Sequence, residues 1–323
     1  AHTSRKGSAM SASDELLSIR AAELYYQENK TQDEVGSLLG LTRWKVGRLI
    51  TQAREAGIIR IEIVHPRARR LHLERELRER TGLREAIVVS SAGVAGRDEL
   101  TDRVAGAAAD YLSALRPVPR SLGISWGRTL QRVADALEPG WSTGTDVMQI
   151  NGGVSLNQRA GMAAATAATI AQKGRGTITL LPSPAILERV ETKRAIEGDR
   201  VVAEVLERAR QASAHLFTAG AVDTDSVHVA SGYLTPADIA ELLAKGAVGD
   251  VLGRYIDADG HIVDAELDER TVGLTLDELR RVPAGIAVLS GAEKHAVASA
   301  IVASGLCSVL ITDEDTANHI LGK

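Results

Sequence analysis

The chain has 323 residues, 44% hydrophobic but only 3% aromatic, with a formal net charge of −4. That length suits two domains, with cores built from Ala, Val, Ile and Leu. A single cysteine, Cys307, excludes a disulfide framework or cysteine-based zinc site, and the lack of a long apolar run excludes a membrane-spanning helix.

Charge is unevenly placed: +4 through Arg70 and −8 over the remainder. A basic end on an acidic body suits a small DNA-binding module carried by a soluble, cytoplasmic sensor. Residues 1–12 are polar, carry no apolar signal core and read as a disordered lead.

The first module spans 13–66. Asp14–Glu28 is an amphipathic helix with Leu16, Leu17, Ile19, Ala22 and Leu24 on its apolar side. A second helix starts at Thr31, with Asp33 and Glu34 in its first turn, and carries Val35, Leu38 and Leu39 to a stop at Gly40. Thr42 caps a third helix, held inward by Val46, Leu49, Ile50 and Ala53. Gly36 supplies the small residue that a steep helix crossing needs. This is a helix-turn-helix pattern, and the candidate DNA contacts at its third helix are Thr42, Arg43, Trp44, Lys45, Arg48 and Gln52. Trp44 has two readings, a DNA contact or a core or dimer residue. Ile59, Ile61 and Ile63 alternate as a strand, either a wing or a packing strand. A charged helix with Leu73 and Leu77 fills a linker over 67–82 and offers a dimer contact.

From 83 to 323 strands alternate with helices, which argues for a doubly wound α/β domain with a mainly parallel sheet. In such folds the ligand lies beyond the carboxyl ends of the strands. The sharpest candidate is Ser125-Trp126-Gly127-Arg128-Thr129, where a strand enters a helix through hydroxyls, a glycine and an arginine. Free N–H groups there would hold an anion, phosphate foremost, or else the segment is a plain turn capped by Ser125. Gln149, Asn151, Gly152 and Gly153 could hold sugar hydroxyls at the next strand end. Gly220, Asp250 and Lys294 lie at further ends. Lys294 opens a helix, against the dipole, so it should face an anionic ligand or a carboxylate such as Asp250. The Thr312–Asp315 segment reads as a helix cap. Tyr255–Val263 reads as a hairpin turning at Asp257–Gly260. No cofactor or metal is expected.

At these residues the chain resembles the SorC family of sugar-responsive bacterial regulators, along nearly its whole length. The resemblance rests on the helix-turn-helix, Gly123–Leu130, Gln149–Gly153, Gly249–Gly260, Gly291–Lys294 and Leu310–Glu314. It implies a C-terminal domain with the fold of sugar-phosphate isomerases and CoA transferases, dimeric or tetrameric assembly, and control of a sugar-catabolic operon. By that likeness Ser125, Gly127, Arg128 and Thr129 hold a phosphate, while Gln149, Asn151, Asp250 and Lys294 contact the sugar. The expected partners are double-stranded operator DNA, a phosphorylated sugar or polyol, and further copies of the chain. Two rivals are a sugar-phosphate isomerase or deaminase using Asp250, Glu293 and His295, and a ligand-binding module with a vestigial head.

Overall fold

The computed structural model describes residues 12–61, 65, 67–153 and 161–323. The expected lead over 1–12 falls almost wholly outside them. The chain divides into two compact units after Ile63.

In the smaller unit, α1 (Ala12–Ala22) runs into a π-helical turn, Glu23–Gln27, and is followed by α2 (Gln32–Leu39) and α3 (Arg43–Glu55). Thr31 and Glu34 form a reciprocal capping box at α2, worth about 1 kcal/mol. Gly40 ends α2 at φ 69°. A methyl group on Gly36 would sit 2.6 Å from the Leu41 carbonyl oxygen, so the turn passes where only glycine leaves room. Ala21, Leu24, Val35, Val46 and Ile50 close the core. Leu16 and Leu38 depart from the expected apolar faces: they are exposed, and Ser18 is buried in α1 instead. No strand forms over Ile59–Ile61. Ile59 packs half-buried on the core, Ile61 is exposed, and Ile63 lies outside the described residues.

The larger unit opens with α4 (Leu71–Thr81), β1 (Glu85–Val89), α5 (Arg97–Ala114), β2 (Ser121–Ile124), α6 (Arg128–Ala136) and β3 (Asp146–Gln149). It continues through α7 (Gly161–Lys173), β4 (Ile178–Thr179), α8 (Val190–Gly198), α9 (Arg200–Arg210), β5 (Ala214–Phe217) and β6 (Ala219–Gly220). Next come α10 (Val227–Ala230), α11 (Pro236–Ala244), β7 (Gly249–Val251), β8 (Arg254–Ile256), α12 (Ala265–Arg270) and α13 (Leu276–Arg280). The chain ends with β9 (Gly285–Val288), α14 (His295–Ala303), β10 (Val309–Asp313) and α15 (Glu314–Ile320).

Seven strands form one parallel sheet in the order β1-β10-β9-β5-β2-β3-β4. Both faces are covered. Ile87, Val89, Leu122, Ile124, Val288 and Ile311 bury against α5, α6 and α7. Val88, Met148, Phe217, Ala287 and Leu310 bury against α4, α9, α14 and α15. Strands buried on two faces read as continuous apolar runs, which is how these appear in the sequence. Leu73 and Leu77 of the expected linker helix lie inside the second of these cores.

A small antiparallel sheet, β6-β7-β8, stands apart. Its β7–β8 hairpin turns through Leu252 and Gly253, at φ 56° and 82°. A second reversal follows at Asp257–Gly260, closed by an Ile256–Ile262 bridge. Arg254, only 2% exposed, donates to the carbonyls of Asp268, Thr271, Gly273 and Leu274 and pins that segment to β8.

Candidate functional site

Two places gather the expected residues. On α3, Arg43 and Trp44 are outward, and Trp44 is 72% exposed, so it is no core residue of this chain. The Arg48 guanidinium lies 5.1 Å from the Trp44 ring centroid. Gln52 is half-buried beside them. Lys45 departs from expectation: its Nζ lies 3.5 Å from Asp14 Oδ1, turned toward α1. The Thr42 hydroxyl is engaged as the α3 cap, accepting from the Lys45 N–H at 3.2 Å.

The second place is a cavity of about 140 Å³ at the carboxyl ends of β2, β3, β5 and β9. Eight expected residues line it: Ser125, Gly127, Arg128, Thr129, Asn151, Gly220, Asp250 and Lys294. Gly127 precedes α6 at φ 143°, and no side chain caps that helix. Ser125 does not cap it either, since its hydroxyl accepts from the Thr218 N–H at 3.4 Å. The first-turn N–H groups of α6 therefore have no side-chain acceptor, which is the condition for an anion seat.

Lys294 sits in a 3-10 turn before α14 and donates to Thr129 Oγ1 at 3.4 Å. Burial pushes its pKa down to about 8; Glu293 and Asp250 oppose that shift, while Arg97 and Arg128 reinforce it. A cation held below its ordinary value in a lined cavity is a candidate ligand contact. The turn bearing it is anchored from β10: Asp313 Oδ2 accepts from Gly291 N–H, while Oδ1 caps α15.

Asn151 is 4% exposed, and its Oδ1 has no protein partner among the described residues; neither has Thr218 Oγ1. Both residues line the cavity, and buried oxygens of this kind call for a ligand or a water. Across the cavity, Asp250 Oδ2 accepts from Gly253 N–H at 2.9 Å. His228 Nδ1 lies 2.9 Å from the Tyr255 hydroxyl and 3.9 Å from Asp250 Oδ1. Gly220 leaves room for the Asp250 carboxylate: a methyl group there would lie 2.1 Å from Asp250 Oδ1 and force that side chain to move.

Three expected contacts fall in the wall behind the cavity. Gln149 Oε1 accepts from the Leu181 N–H at 2.8 Å, so its amide fastens β3 to the next crossover. Gly152 passes so close to Pro184 that a methyl group would lie 2.1 Å from its carbonyl oxygen, and its own carbonyl accepts from Trp126 Nε1. Gly153 donates to the Ser183 carbonyl. Conversely, Arg97, Thr101, Asp223, Ser226 and His228 line the cavity without having been expected. Arg97 carries the same signal as Lys294, a cation opening a helix against the dipole. Thr101 lies near the start of α5, while Asp223, Ser226 and His228 come from the short segment leading into and through α10, which has no periodic pattern.

Of the residues of the enzyme reading, Asp250 and Glu293 line the cavity, Glu293 pairing with Arg97 at 2.6 Å, whereas His295 does not line it, its ring lying 4.9 Å from that of His319.

A small polar cavity at strand ends in one unit, and in the other a three-helix bundle with Arg43, Trp44 and Arg48 outward on its third helix, are the features of a ligand-sensing regulator. Residues 65–322 match the Sugar-bind family model, described as "Putative sugar-binding domain". The chain is 32% identical over 314 residues to the deoxyribonucleoside regulator of Bacillus subtilis (strain 168), covering 97% of this chain and 99% of that one. It is 31% identical over 312 residues to the transcriptional regulator LsrR of Escherichia coli O139:H28, covering 94% and 93%. A DeoR family transcriptional regulator from Listeria monocytogenes superposes with TM-score 0.69 at 26% identity, over 77% of this chain and 98% of that one. The full-length sorbitol operon regulator SorC from Klebsiella pneumoniae shares the fold, with TM-score 0.70 at 24% identity over 95% and 99%. The chain belongs to this sugar-binding family of SorC- and DeoR-type regulators, and it is a transcriptional regulator with a sugar-binding domain. No helix among the described residues is long and apolar enough to cross a membrane.

Proposed function

We propose that the cavity takes a phosphorylated monosaccharide or polyol, and that its occupancy sets the affinity of a helix-turn-helix, α2 and α3, for operator DNA. The observation that carries the effector assignment is the meeting of Lys294 with the uncapped start of α6 at Thr129. Lysine, hydroxyl and open N–H groups together make an oxyanion seat. Asn151, Thr218 and Asp250 would then receive the sugar hydroxyls. The volume supports a small ligand, being well under the several hundred Å³ of sites for larger molecules (about 300 Å³ upward). In this reading the domain is a binding scaffold of the isomerase type without turnover. The cytoplasmic protein works as a dimer or tetramer on paired half-sites.

The Bacillus relative is named for deoxyribonucleosides and the Klebsiella structure for sorbitol, so the effector panel spans pentose and hexitol phosphates. The test is a mobility shift of the full-length protein on its own promoter DNA, with each sugar phosphate and its dephosphorylated form. A shift that changes with a phosphosugar and not with the free sugar supports the proposal. A shift indifferent to every phosphosugar, or turnover of the sugar, overturns it.

A further inference from the structure

Trp44 stands out on the small unit as a large aromatic 72% exposed on a helix whose other apolar residues, Val46, Leu49, Ile50 and Ala53, are all buried. A single exposed apolar side chain is ordinary at a protein surface, so the case for Trp44 rests on its neighbours. Arg43 and Lys45 each have a carboxylate within 3.5 Å, Asp33 and Asp14 respectively. Arg48 makes no ion pair among the described residues, and its guanidinium lies over the Trp44 indole at 5.1 Å. Stacking restrains a planar fork that otherwise sweeps a wide volume, so less freedom is lost when it binds.

We propose that Trp44 and Arg48 form a two-residue reader of a single base step in duplex DNA, a guanine with a thymine in the neighbouring pair. The inference rests on α3 being the helix that enters the groove. The Arg48 guanidinium and the Trp44 ring centroid lie 5.1 Å apart, more than one and less than two of the roughly 3.4 Å steps between stacked bases. The two groups are thus spaced to meet neighbouring pairs. In the major groove, guanine offers the paired O6 and N7 acceptors that suit an arginine fork, and thymine alone offers a methyl group. The indole face matches that methyl. Thr51, one turn further along, donates its hydroxyl proton to the Gly47 carbonyl, which leaves Arg48 as the donor next to Trp44.

The test uses the full-length protein and a randomised duplex library from which the wild type selects its sites. The selected half-sites should hold guanine beside thymine. Replacing that thymine by deoxyuridine removes only the methyl and should weaken wild-type binding about fourfold. Trp44→Ala should bind the thymine duplex about fourfold more weakly and no longer distinguish the two. Replacing the guanine by 7-deazaguanine should weaken the wild type about tenfold and leave Arg48→Ala unaffected. Arg48→Lys should keep part of the sensitivity to 7-deazaguanine, because an ammonium also donates to O6 and N7, but bind more weakly than the wild type because it loses the planar stack on the indole. Indifference of the wild type to deoxyuridine overturns the proposal, as does discrimination retained in Trp44→Ala. A Trp44→Ala variant that changes the light-scattering mass and not the DNA affinity makes the residue a contact between copies, which also overturns it. If Trp44→Ala, Arg48→Ala and Gln52→Ala all bind like wild type, the α3 reading itself fails. Loss in Arg48→Ala alone, without methyl sensitivity, refutes only the paired reader.

Discussion

Under the proposed function, the outer face of α3 and the cavity at the strand ends both receive phosphate-bearing partners, by opposite means. On α3 the cations are solvated: Arg43 is exposed, its pairing with Asp33 is loose, and Arg48 rests on a ring. Such charges cost little to display and are screened by salt. In the cavity Lys294 is partly desolvated beside Thr129, and burial has lowered its pKa to about 8. That charge is held at a cost to the empty protein, which an anion would relieve. On that reading the head would bind through released counterions, and the cavity through a lysine whose charge an anionic ligand would stabilise.

Salt should separate the two regions most widely. With six or more phosphates contacted, operator affinity should fall about a thousandfold between 50 and 200 mM salt, while effector affinity by calorimetry moves only a few-fold. Parallel slopes would dissolve the distinction.

Lys294→Met should weaken phosphosugar binding about a hundredfold, in line with a lost charge-assisted hydrogen bond in a buried seat. The same variant should melt higher than wild type at pH 7. The sign follows from the shift: a lysine whose pKa is lowered on folding holds its proton less well folded than unfolded, so its charged form destabilises the fold below about pH 8. Unchanged melting would mean that the charge is not strained. For the same reason effector affinity should decline as pH rises through 8, where the free protein loses the proton, by at most about tenfold per unit.

Arg48→Ala should weaken specific operator binding about tenfold and leave the effector dissociation constant intact. A loss at the effector would show that the variant disturbs more than the outer face. The smallest effect is expected at Thr129→Val, which should weaken a phosphosugar a few-fold, about one neutral hydrogen bond, and its dephosphorylated form less. Equal losses would count against a phosphate at α6.

Much of this arrangement was legible in the sequence because it is local. The Gly40 turn, the Thr42 cap and the strand-to-helix passage at Ser125–Thr129 are each set by a few adjacent residues. Lys294 was legible from helix polarity alone, and Arg97 carries the same mark. What escaped depends on distant partners. Nothing near Gln149 announces that Leu181, on another strand crossover, will occupy its amide. His228 reaches the cavity because Tyr255 and Asp250 arrive beside it from the small sheet. The β7–β8 hairpin was obscured by Leu252, a branched side chain at positive φ where asparagine or glycine is usual. Leu16 and Leu38 were assigned inward by apolar character, yet three short helices have too little interior for both.

A coupling between cavity and operator must be reciprocal, each ligand changing the affinity of the other by the same factor. Operator affinity should be measured with and without a phosphosugar, and phosphosugar affinity with and without operator, in wild type and in Lys294→Met. The account predicts the same factor both ways in the wild type, about 5- to 150-fold, and no effect of the sugar on operator binding by the variant. Tight binding of both ligands with a factor of one would contradict it.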